Sequence, residues 1–151
     1  MNVFISSLFI DYMVRVNIIH PRKLSDQHLI AEYLEIMMLV GHTRKYPNKD
    51  GIPKDYRLGK GHIKFFKNKL IYLKNRHEEI RKEMKNRKFA VNKKIDLKEF
   101  DKSLLNDWKP ENKDFEVIKR RIISRVKIKP NWYRYYGKKK SFSFFKKMIS
   151  S

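Results

Sequence analysis

Ile63, Phe66, Leu70, Leu73, His77, Ile80 and Met84 recur three and four residues apart, which on a helical wheel makes one apolar seam about six turns long. A seam of that length must be buried, and the chain supplies two partners of the same period. Leu29, Ile30, Tyr33, Ile36, Met37 and Val40 share a face between the N-cap signal Ser25-Asp26 and Gly41. Phe115, Ile118, Ile122 and Val126 define a third helix, starting near Pro110 and stopping before Pro130. His77, inside the second seam, reads as a partly buried, hydrogen-bonded packing residue. Residues 42–61, with two Pro and three Gly among charges, and residues 90–109 read as loops. There is no internal repeat, and residues 14–19 are the one strand-like run. The expected fold is all-α: a compact single-domain three-helix bundle with long loops and an extended N-terminal arm, 151 residues leaving room for one modest core.

Charge narrows the partner. With 37 Lys and Arg against 16 Asp and Glu, the net charge is +21, which asks for a polyanion, nucleic acid first. An anionic membrane is the competitor, but the sequence has no run near the ~20 apolar residues of a spanning helix. Residues 1–12, MNVFISSLFIDY, lack the charge and cleavage pattern of a signal peptide. There are no cysteines, hence no disulfide framework and no thiolate chemistry, which fits an intracellular compartment. P-loop, paired-cysteine zinc and nucleophile-elbow patterns are absent, and the five His show no metal-ligand spacing. Gly59-Lys60-Gly61 precedes a helix but is too short to specify a phosphate site and reads as a turn. The tail NWYRYYGKKK interleaves Trp132, Tyr133, Tyr135 and Tyr136 with Arg134 and Lys138 to Lys140. By composition it serves equally to stack nucleobases or to close the core of a small bundle.

The order of three motifs adds more. MVRVNIIHPRKLSDQHLIAEYLEI, IPKDYRLGKGHIKFFKNKLIYL and KPNWYRYYGK carry DQHLxAEY, LGxGHxxFF and WYxYYG in sequence. In this order and spacing they closely resemble the pyrimidine-dimer DNA glycosylases of the bacteriophage endonuclease V type, over residues 13–138. The resemblance implies a DNA-repair enzyme for double-stranded DNA carrying cyclobutane pyrimidine dimers or abasic sites, with non-specific duplex binding besides. It implies that the duplex is kinked, the base opposite the lesion turned out and the glycosidic bond of the dimer's 5′ base cut. An AP-lyase β-elimination then breaks the strand; the enzyme acts as a monomer, without metal or cofactor, on DNA in a bacterial or virus-infected cell. Its nucleophile is the α-amine exposed by removal of the initiator Met, which aligns with Val14.

That chemistry is physically sound. An α-amine titrates near ~8 and Lys near ~10.4, so the neutral, nucleophilic fraction at pH 7 is roughly a few hundred times larger for the α-amine. A carboxylate is also needed to balance charge developing on the sugar and to move protons, and by motif position this is Glu35. The resemblance further assigns DNA-contacting or site-shaping roles to Arg15, Gln27 and His28. Arg121 and Arg125, four apart on one face of the third helix, are expected to hold phosphates. Trp132, Arg134, Tyr135 and Tyr136 are expected to meet lesion or backbone. The family pattern has basic residues where this chain has Leu34 and Met38, which alters the expected DNA footprint. The tail beyond Lys140, residues 141–151, has no assigned role.

An internal Val14 carries an amide nitrogen, which forms no imine. Met13-Val14 is a context for Met removal, whereas Met1-Asn2 is a poor one. The expectation is that residues 1–12 are an extension, residues 13–140 the glycosylase domain, and that the functional chain starts at Met13 and is processed to Val14. The alternative is a non-catalytic basic DNA-binding protein whose extension blocks the nucleophile.

Overall fold

The computed structural model describes residues 15–151; Val14 and the extension lie outside the described residues. Among the described residues five helices follow one another: α1 Asp26–Lys45, α2 His62–Phe65, α3 Leu70–Asn86, α4 Asn112–Ile128 and α5 Phe142–Ser150. A two-stranded antiparallel ribbon, β1 Arg134–Tyr135 and β2 Lys138–Lys139, pairs Arg134 with Lys139 and Tyr135 with Lys138. The architecture is all-α, with α1, α3 and α4 as its three long members. Among the described residues no helix is long and apolar enough to cross a membrane.

α1 packs on α3 through Leu29, Tyr33, Ile36 and Val40 against Leu70, Leu73, Ile80 and Met84, all buried. Ser25 caps α1 by accepting the His28 amide at 3.1 Å. The helix passes Gly41 and ends at Lys45, later than its glycine suggested. Thr43 is buried there, which ties the extra turn to the core, and its hydroxyl bonds back to the Leu39 carbonyl at 3.0 Å.

The second seam is broken rather than continuous. α2 gives way to a 3₁₀ turn at Phe66–Asn68, and α3 starts afresh at Leu70. Phe65 and Phe66 are both buried, and neighbours on a straight helix point 100° apart, so the chain must change axis to bury both. They meet Tyr56, Tyr72 and Trp108 in an aromatic cluster with centroids 5.0 to 6.0 Å apart. His77 behaves as its seam position suggests, stacked on Tyr33 at 4.8 Å with Nε2 donating to the Tyr33 carbonyl at 3.0 Å.

α4 opens on a reciprocal cap in which Asp114 accepts the Glu111 amide at 2.8 Å. Residues 141–151 fold into α5, capped by Ser141, which accepts the Phe144 amide at 3.1 Å. Phe145 and Ile149 are fully buried where α5 packs on α4, and Lys23 Nζ donates to the Ser151 carbonyl.

Candidate active site

The N-terminal arm enters the core as a series of polar locks. The Arg15 amide donates to Glu35 Oε2 at 2.5 Å and the Val16 amide to His62 Nε2 at 2.9 Å. The Tyr56 hydroxyl donates to the Val16 carbonyl at 3.1 Å, and Arg76 Nη1 to the Ile19 carbonyl at 2.5 Å. Ile18 sits at φ +49°, a left-handed conformation that strains a β-branched residue and that the surrounding locks impose.

Glu35 is 4% exposed. Burial pushes its carboxyl up to about 8, with the nearby Glu32 charge adding to the rise. The Arg15 amide and the Arg15 and Arg121 guanidinium groups pull it back without prevailing. Near neutral pH this carboxyl mostly holds its proton, an unusual state for a side chain beside two cations. Glu32, fully buried one turn earlier, is tied bidentately to Arg76 at 2.7 and 3.1 Å. That ion pair fixes α1 to α3 and clamps the arm through the Ile19 carbonyl.

Arg121 itself is lowered to about 10, first by burial and then by the charges of Arg15 and Arg125. His28, half-buried, is pushed down to about 4 by burial and by Arg121 and Arg125, and remains neutral at physiological pH. Its Nδ1 meets Ser25 Oγ at 2.8 Å, and its ring lies on Tyr133 at 4.9 Å and 4°. Glu35, Arg15, Arg121, Arg125 and His28 thus lie together in one constellation.

The remaining expected contacts divide. Gln27 spends both ends of its amide on the tail, donating to the Trp132 carbonyl and accepting the Arg134 amide, each at 2.9 Å. Tyr135 and Tyr136 pack on the Arg87 guanidinium at 4.7 and 4.9 Å. The Tyr135 hydroxyl donates to the Arg22 carbonyl at 2.9 Å and that of Tyr136 to Glu83 at 2.8 Å. Arg87 in turn binds Asp26 at 3.0 Å and Glu83 at 2.9 Å, and Asp26 accepts the Tyr136 and Gly137 amides at 3.0 and 2.8 Å. This network anchors the tail to the start of α1. Trp132 and Tyr136, 51% and 44% exposed, and the exposed Arg134 keep surface open to solvent. Glu32, Tyr56 and His62 also build the site, although the motifs assign them no role. The signal available was the second carboxylate one turn before Glu35 and the Tyr and His of the middle motif. Among the described residues no cluster of His, Cys, Asp or Glu could hold a metal.

Fold and site together define a small, strongly basic all-α protein with a buried carboxyl of raised pKa, near Arg15 and Arg121, beside its N-terminal arm. The pyrimidine dimer DNA glycosylase family model matches residues 13–97, more than half of the chain, and the chain belongs to that family. It is a DNA-repair glycosylase that takes DNA as substrate. Arg15, Gln27, His28 and Glu35 lie inside the matched span. Arg121 and Arg125 lie beyond it, and geometry joins them to the same site.

Proposed function

We propose that the protein excises cyclobutane pyrimidine dimers through an imine formed by the Val14 α-amine, followed by AP-lyase cleavage of the strand. The observation supporting this is the bond from the Arg15 amide to Glu35, because Val14 is the residue immediately before Arg15. Val14 thus directly precedes the residue whose amide meets a carboxyl that burial pushes up to about 8.

In this reading the neutral amine attacks C1′ and the glycosidic bond breaks with its electron pair on the base, which takes the Glu35 proton. The nitrogen then loses a proton, its lone pair expels O4′, and O4′ is protonated, giving a ring-opened iminium. Glu35, now a carboxylate, removes the C2′ proton; the electrons expel the 3′ phosphate oxygen, and water later hydrolyses the imine. Arg15 and Arg121 offset anionic charge, and Arg125 with the exposed lysines neutralises phosphates. The enzyme acts as a monomer and needs no metal.

Protein beginning at Val14 is expected to nick ultraviolet-irradiated but not undamaged plasmid, in EDTA, and borohydride is expected to trap its covalent adduct with DNA. Equal trapping by a chain in which residue 13 remains attached to Val14 would overturn Val14 as the nucleophile.

A further inference from the structure

We infer that His62 is a positioning residue for the glycosylase reaction, a neutral imidazole that latches the N-terminal arm so that the nitrogen beside Val14 stays on Glu35. This rests on the imine reading above. His62 is fully buried, and no step of the proposed reaction uses it. Its Nδ1 lies 2.8 Å from the Arg57 carbonyl, an oxygen that can only accept, so Nδ1 carries the hydrogen. Nε2 is then a bare acceptor, and the Val16 amide donates to it at 2.9 Å. Edge-on contacts with Tyr56 at 5.5 Å and Phe66 at 5.3 Å fix the ring plane. Burial drives the imidazole down to about 3, with the nearby Arg15 and Arg121 charges opposing protonation. The acceptor therefore persists at every pH at which DNA repair operates.

The Val16 peptide is held on both sides, its N–H by His62 and its carbonyl by Tyr56. One residue earlier the next amide reaches Glu35. Without the His62 acceptor, a buried N–H loses its partner and the arm must shift to satisfy it. A displacement of about 1 Å at a reacting nitrogen costs on the order of 100-fold in rate. The histidine of the middle motif thus serves the first motif, across 46 residues of sequence.

Two substitutions separate the ends of the ring. His62→Asn keeps a donor for the Arg57 carbonyl but no longer reaches Val16; His62→Gln places an acceptor near the position of Nε2. In the 151-residue protein, NMR should show the Arg15 amide following the Glu35 titration in wild type and in H62Q, and losing that coupling in H62N. Borohydride trapping on abasic-site duplex, using the N-terminal form that traps in wild type, should fall ~100-fold in H62N and recover in H62Q, with duplex affinity unchanged in both. Intact coupling or wild-type trapping in H62N overturns the latch. So does a folded H62Q that loses the coupling, which keeps the test decisive if H62N fails to fold. If wild type never traps, the imine reading fails, while the NMR comparison still decides the latch.

Discussion

A carboxylic acid with two arginines near it ordinarily ionises more readily than in water, and Glu35 does the reverse. Desolvation outweighs the cations because the side chain is almost wholly buried and Glu32 contributes a like charge. The consequence for stability has a definite sign. The folded-state value, about 8, lies above the ordinary 4.5, so Glu35 contributes no penalty below pH 4.5 and destabilises the fold progressively up to pH 8. Glu35→Gln keeps an oxygen to accept the Arg15 amide and removes the charge. It should match wild type in unfolding free energy near pH 4.5 and exceed it at pH 8 by on the order of a few kcal/mol, several degrees of melting temperature. The same substitution should abolish base excision. Parallel pH series of thermal melts for both proteins check this, and a constant gap across the series would show that the carboxyl is not strained by burial. Stability given up at a reacting group is the usual trade at an active site.

At the scale of elements, α1 does three jobs: it packs on α3, carries Glu35, and exposes a face next to it. On that face Leu34 is 51% and Met38 40% exposed, one turn apart. The family pattern that this chain resembles has basic side chains at both positions, and here both are apolar. Replacing both with Arg should leave stability within about 0.5 kcal/mol, since neither side chain is in the core. It should steepen the fall of DNA affinity with salt by about 1 to 2 in log–log slope, one counterion per new phosphate contact. Anisotropy titrations across a salt series read that slope; no change would place α1's outer face away from the phosphates. The helix itself was readable from its apolar period and Ser25 cap. The burial and pairing of its acidic residues were not, because Glu32 and Glu35 have the same identity and differ only in what other elements bring to them. Arg76 comes from α3 and pairs Glu32; the arm and α4 bring arginines to Glu35 but leave it largely protonated.

At the scale of the whole molecule, sequence periodicity marked the three long helices because each buries a single stripe. It failed where burial departs from a stripe, as at Phe65-Phe66, and where an element is short. α5 left a faint trace in Ser141 followed by Phe142, Phe145 and Ile149, a cap and an apolar spacing of three and four. The helix closes a chain of contacts that reaches the site: Phe145 lies 6.3 Å from Tyr133 in an edge-on pair, Tyr133 stacks on His28, and His28 sits beside Arg121 and Arg125. Phe145→Ala should therefore do two things. Emptying a fully buried phenyl site should cost about 3 to 5 kcal/mol in urea unfolding. Loosening Tyr133 should also expose the His28 ring and raise its titration midpoint from about 4 toward the ordinary 6.5, since burial is the main cause of the depression. NMR titration of the histidine ring protons follows that midpoint directly. A destabilised variant whose His28 still titrates near 4 would show that α5 supports the fold alone, and that α1 and α4 hold the site without it.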